Sequence, residues 1–142
     1  MPTRVKLVIL ALFVAGIGAF VAASLAGGSD RPCRPPAAIE QLIPECNAQV
    51  LQQDRVGVDM RPGYTAELAI NGVPIPNDEI RSIGVAANQQ TGVAPDTFVF
   101  TPGRGKALEE LQAQQNCATV TYWSLADGPD RSSQFTWCFR AA

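Results

Sequence analysis

Four cysteines, Cys33, Cys46, Cys117 and Cys138, are the residues whose chemistry is most readily named. Zinc would need clustered pairs at short spacing, and dithiol redox catalysis would need Cys-x-x-Cys beside a βαβ pattern; neither is present, so structural disulfides are expected. Histidine is absent, which removes the usual general base, the imidazole metal ligand and any Ser-His or Cys-His pair. The adjacent acids Asp78-Glu79 and Glu109-Glu110 diverge on any regular element, so they do not make a general acid/base pair. Asp127 and Asp130 offer two carboxylates to a cation that wants six to eight oxygens, and they read as turn residues. Gly103-Arg104-Gly105-Lys106 lacks the spacing of a phosphate loop. No catalytic residue, metal or cofactor is therefore expected, and the chain is read as a non-enzyme.

The element that must position two of those cysteines is the closing ribbon. Cys117 to Trp123 and Gln134 to Arg140 read as strands, joined by a segment containing the turn formers Asp127-Gly128-Pro129-Asp130. If facing residue numbers sum to 255, Ala118 meets Trp137 and Val120 meets Phe135 on one apolar face. The same register places Cys117 opposite Cys138 on the other face, beside Thr119, Thr121, Thr136 and Gln134. Four cysteines allow three connectivities. The register favours Cys117 with Cys138, which leaves Cys33 with Cys46. Trp137 is assigned to the core. Trp123 falls on the outward face, where it could cover a disulfide, anchor the Cys33 to Cys46 segment, or serve as a candidate partner surface, tryptophan being enriched in interface hot spots; packing within the chain is the leading reading.

Ahead of the ribbon, Leu7 to Leu25 is 19 residues without a charge, preceded by Arg4 and Lys6. A helix of that length spans about 28 Å, near the thickness of a bilayer core. Residues 1 to 26 are read as a single-pass anchor with a cytoplasmic N-terminus and an extracytoplasmic C-terminal domain; the rival reading is a signal peptide cleaved after Ser24-Leu25-Ala26. Either way the domain is exported, where disulfides persist. Residues 27 to 38 are a Gly, Ser and Pro linker, and 39 to 142 the folded domain. Residues 29 to 142 hold 9 basic and 13 acidic residues, a balance of −4, which speaks against nucleic acid as a partner.

Between linker and ribbon the texture is β. Ala37 to Ile43 is expected as a helical turn or an irregular segment ended by Pro44. Val50-Leu51 is a short first strand and Val56 to Met60 a second, turned by Arg61-Pro62-Gly63. Thr65 to Ile70, Asn71-Gly72 and Val73 to Ile75 form a hairpin around a type I′ turn, with Pro74 marking its second arm as a sheet edge. Ile80, Ile83 and Val85 suit a short strand or a helical turn, and Asp96 to Thr101 a strand. Lys106 to Gln115, with Ala107, Leu108 and Leu111 at helical spacing, is expected as a one- to two-turn helix. Six or seven short strands point to an antiparallel β-sandwich.

The tail, Asn116 to Trp123 and Phe135 to Arg140, resembles the last two strands of bacterial immunoglobulin-like domains. Through Ile43-Pro44, Arg61-Pro62-Gly63-Tyr64, Asn71-Gly72-Val73 and Phe100-Thr101-Pro102-Gly103, residues 39 to 140 are also similar to small exported actinobacterial proteins with one N-terminal membrane segment. The resemblance implies an immunoglobulin-like sandwich and carries over no catalytic residue. Copper-binding sandwiches of this size would use histidines, which this chain lacks. The expected function is a membrane-anchored binding or structural domain, an accessory subunit or adaptor of an envelope complex with a protein partner. The alternative is an envelope carbohydrate-active enzyme with two carboxylates facing each other across a cleft, ~5 to 10 Å apart.

Overall fold

The computed structural model describes residues 33 to 83 and 96 to 142. The expected membrane segment Leu7 to Leu25 and the placement of Val85 lie outside the described residues. Cys33–Ala142 forms one compact unit, whose described residues include nine strands: β1 Ile39–Ile43, β2 Gln49–Val50, β3 Val56–Met60, β4 Tyr64–Ile70, β5 Val73–Pro74, β6 Ile80–Ile83, β7 Thr97–Phe100, β8 Gln114–Ser124 and β9 Ser133–Ala141. They make a four-stranded sheet in the order β1-β3-β7-β6 and a five-stranded sheet in the order β2-β9-β8-β4-β5. Every pairing is antiparallel except the two-residue contact of β2 with β9.

Period-two alternation explains why the sheets face one another. In β3, Val56, Val58 and Met60 are fully buried while Asp59 points out. In β8, Ala118, Val120 and Tyr122 turn to the same core, where Trp137 and Phe139 of β9 join them. The result is an immunoglobulin-like β-sandwich, with apolar faces of both sheets pressed together and polar residues outward. One feature departs from antibody domains: Cys117 and Cys138 join neighbouring strands of one sheet rather than bridging the two.

The ribbon takes the register with facing numbers summing to 255, from Gln114 opposite Ala141 to Tyr122 opposite Ser133. Cys117 and Cys138 occupy a narrow, non-hydrogen-bonded site, with Cα atoms 4.1 Å apart. Their backbone groups point away from each other. The Cys117 carbonyl accepts from Asn71 N at 2.8 Å, and the Cys138 carbonyl accepts from Asn47 N at 2.9 Å. On the same outward face the hydroxyls of Thr119 and Thr136 lie 2.9 Å apart, and Gln134 donates to the Thr121 hydroxyl at 3.1 Å.

Asn71 and Gly72 take φ of 51° and 79°, the conformation a type I′ turn requires, and β5 is indeed an edge. The turn is fastened from below by Asn116, which is 0% exposed. Asn116 Oδ1 accepts from Asn71 Nδ2 and from Gln112 N, each at 2.9 Å, and its Nδ2 donates to the Gln112 carbonyl at 2.8 Å. Asn71 Oδ1 in turn accepts from Cys117 N at 2.9 Å. A buried amide with all of these groups paired carries no desolvation penalty of the kind an orphaned one would.

Three expectations are corrected. Ala37 to Ile43 is neither a helical turn nor irregular: residues 39 to 43 form β1, and a register shift between Ile39 and Gln41 lets Ile39 and Leu42 both reach the core although they are three residues apart. A bulge thus produces in a strand the spacing that sequence reads as helical. Lys106 to Gln115 is not a helix. Its apolar residues do bury, Leu111 to 1% exposure, but its donors are claimed by distant acceptors: Ala107 N by Glu79 Oε2 and Leu111 N by the Gln52 carbonyl, both at 2.9 Å. A helix this short is marginal alone, so these tertiary bonds decide the conformation, and Gln114 and Gln115 belong to β8. The short strand expected at Val50-Leu51 starts one residue earlier, as Gln49–Val50, and leaves Leu51 60% exposed.

Gly57 marks a close approach. A Cβ there would collide with the Phe98 carbonyl oxygen and lie 2.8 Å from Val99 Cα on β7. Gly57→Ala is expected to destabilise the domain by about 1 to 3 kcal/mol, read as a lower urea midpoint; an unchanged midpoint would mean that β7 can move aside. Asn116→Ala strands the Asn71 amide and Gln112 N, and is expected to cost about 1 to 3 kcal/mol with hydrogen exchange accelerated at Asn71 and Cys117. Exchange unchanged at those two amides would show that the Asn116 carboxamide does not hold the turn.

Candidate functional site

Trp123 ends the outward row of β8 that also holds Cys117. Six residues of strand put the two about 20 Å apart, so Trp123 does not cover the Cys117–Cys138 disulfide. Instead it lines an open cleft of about 270 Å³ with Thr65, Glu67, Asn77, Ile80, Ser82 and Phe98. Register explains the near wall: Trp123 lies opposite Thr65, and Thr121 opposite Glu67, where β8 pairs with β4. The far wall comes from the other sheet, through Ile80 and Ser82 of β6 and Phe98 of β7. Neither Cys33 nor Cys46 lines it.

The cleft combines an indole and a phenyl ring with one carboxylate, a carboxamide and two hydroxyls. Trp123 is half-buried and Glu67 exposed. Chemically this surface can stack an apolar or planar group on the indole and accept hydrogen bonds from a donor held at Glu67; among the described residues it pairs no nucleophile with a base. Trp123 alone among these residues is singled out by the sequence. Glu67, Asn77 and Ser82 carry no local signal, because they come together only where β6 of one sheet reaches past β4 of the other.

A second cleft, of about 400 Å³, lies beside the Cys33–Cys46 disulfide and includes Glu40, Gln41 and Glu45. Both carboxylates are exposed. Two of the acids considered from sequence have structural tasks: Glu79 holds Ala107 N at 2.9 Å, and Glu109 accepts from Gly105 N at 3.4 Å. Asp127 forms an exposed ion pair with Arg131 at 3.6 Å, an interaction worth little in water. Asp59 and Asp96 approach one hydroxyl, that of Thr97, at 3.0 and 3.4 Å. Among the described residues no three carboxylate or cysteine side chains gather as a metal site. All four cysteines are paired, Cys33 with Cys46 and Cys117 with Cys138. In the chain-entropy account the ribbon disulfide, separating residues 21 apart, restricts the unfolded chain by roughly 3 kcal/mol.

No family model matches this chain, and no curated protein does. Solved structures similar to it include CopC from Methylosinus trichosporium OB3b, at 14% identity and a TM-score of 0.48, covering 72% of this chain and 90% of that one. Another is PcoC, a methionine-rich copper resistance protein from Escherichia coli, at 14% identity and a TM-score of 0.45, covering 73% and 96%. At such identity the likeness concerns the fold and nothing finer.

Proposed function

We propose that this chain is an extracytoplasmic binding domain, held at the membrane through Leu7 to Leu25 with its N-terminus cytoplasmic, that serves as an accessory subunit or adaptor of an envelope complex. The observation that carries the reading is the stapled sandwich: all four cysteines are engaged in disulfides, which belong to an oxidising compartment. An uncharged 19-residue segment between Lys6 and the domain supplies the export route. Trp123, on the rim between the sheets, is the anchor expected to meet a protein partner. Copper is not part of this reading: the chain has no histidine, its thiols are occupied, and Met60 is fully buried.

The test uses the full chain in native membranes, with a photo-crosslinking residue replacing Glu67 on the rim of the cleft. One discrete heterologous adduct is expected, lost on Trp123→Ala while the melting temperature stays unchanged. Crosslinks that do not depend on Trp123, or none at all, would overturn the assignment of this surface.

A second reading, hydrolysis of an envelope polysaccharide by a carboxylate pair, draws on Glu40 and Glu45 sharing one cleft. Both stand open to water, whereas a general acid is ordinarily set in an apolar surround, so this reading ranks below the first. It expects release of reducing sugar from envelope glycan by the purified chain, falling at least a hundredfold in Glu40→Gln or Glu45→Gln; no release from the unaltered chain removes it.

A further inference from the structure

β9 is the border of the five-stranded sheet over most of its length, because β2 covers only its end, with Gln49 beside Arg140 and Val50 beside Ala141. Since Cys117 and Cys138 form a narrow pair, the even-numbered residues of β9 direct both N–H and C=O away from β8. Towards the end of the strand these groups are met: the Cys138 carbonyl by Asn47 N, Arg140 N by the Ala48 carbonyl, and Ala142 N by the Val50 carbonyl. Gln134 and Thr136, both exposed, have no such backbone partner among the described residues. Exposed edges are usually blunted by lysine, proline or another charge. β5, the opposite border, carries Pro74, while Ser133 to Trp137 carries none of these.

We propose that this edge pairs with the same edge of a second copy, β9 against β9, antiparallel about a two-fold axis at Phe135. In that register Gln134 faces Thr136 of the second copy and Thr136 faces its Gln134. Each facing pair exchanges two hydrogen bonds, so all four open groups are satisfied at once. Neighbouring registers fail. A shift one way would enlist Cys138, whose carbonyl is already taken by Asn47, and a shift the other way would enlist Ser132, whose N–H is bonded to the Pro129 carbonyl at 3.2 Å. A slip of one residue would oppose groups that point towards β8. The same axis sets Phe135, half-buried and stacked on Trp137 with ring centroids 6.4 Å apart, against its own counterpart, an aromatic cross-strand pair. The surface is short beside the ~1,200 Å² of a standard interface, and the dimer is accordingly weak and concentration-dependent. It does not involve Trp123, so it stands or falls separately from the partner surface proposed above.

The experiment is sedimentation equilibrium of the full chain in a mild detergent across a hundredfold range of protein concentration. A monomer–dimer equilibrium is expected. Thr136→Pro removes an outward N–H that the β8–β9 ladder does not use, so it should weaken association at least tenfold while leaving the melting temperature within a few degrees. Should the proline variant fail to fold, the double variant Gln134→Lys with Thr136→Lys, which sets four ammonium groups along the joined edges, should weaken the dimer equally. A monomer at every concentration, or a dimer unaffected in the folded variants, would overturn the proposal.

Discussion

The structure depends on one narrow strand pair. Where Cys117 faces Cys138, side chains approach closely and backbone groups turn away, and that single alternation fixes the rest of the five-stranded sheet. It sends Ala118, Val120, Trp137 and Phe139 into the core. It also leaves the backbone of Cys117 free to bind Asn71 on one side and that of Cys138 free to bind Asn47 on the other. The disulfide therefore does more than shorten the unfolded chain. It marks the point at which the turn before β5 and the segment leading to β2 are both attached.

Around this point the polar groups that cannot reach water are satisfied locally. Asn116 sits fully buried one residue before Cys117, and its carboxamide ties the Asn71 turn to Gln112. Trp137, in the core one residue before Cys138, sends its indole N–H to the Pro44 carbonyl at 2.9 Å, joining the end of β1 to the other sheet. The core thus closes through hydrogen bonds made by residues that are themselves packed, which specifies one arrangement of the sheets more sharply than apolar contact alone. What remains outside is a surface of loosely constrained features: an indole on a rim between sheets, carboxylates beside the first disulfide, and an open strand border.

Legibility followed the range of the interactions involved. The ribbon register, the Asn71-Gly72 turn, the edge at Pro74 and the buried row of β3 were all readable because each depends on alternation or on the φ of a single residue. Lys106 to Gln115 misled because Ala107, Leu108 and Leu111 have helical spacing, yet the acceptors that decide their conformation, at Glu79 and Gln52, lie far away in sequence. Ala37 to Ile43 misled for a related reason: the bulge that brings Ile39 and Leu42 to one face exists only in the pairing with β3. Of the candidate surface, Trp123 could be singled out by type, but its neighbours Asn77, Ser82 and Phe98 could not.

By itself, then, the sequence determined which residues are apolar, how they alternate, where the chain must reverse, and that four thiols follow a segment able to cross a membrane. Those properties are local, since they depend on side-chain chemistry and on the allowed φ of one residue at a time. Tertiary structure decided which face of Trp123 stays open, which acids acquire partners, and which strand is left at a border. Each of those outcomes depends on the order of strands within two sheets, and strand order is set by contacts between residues that the sequence holds far apart.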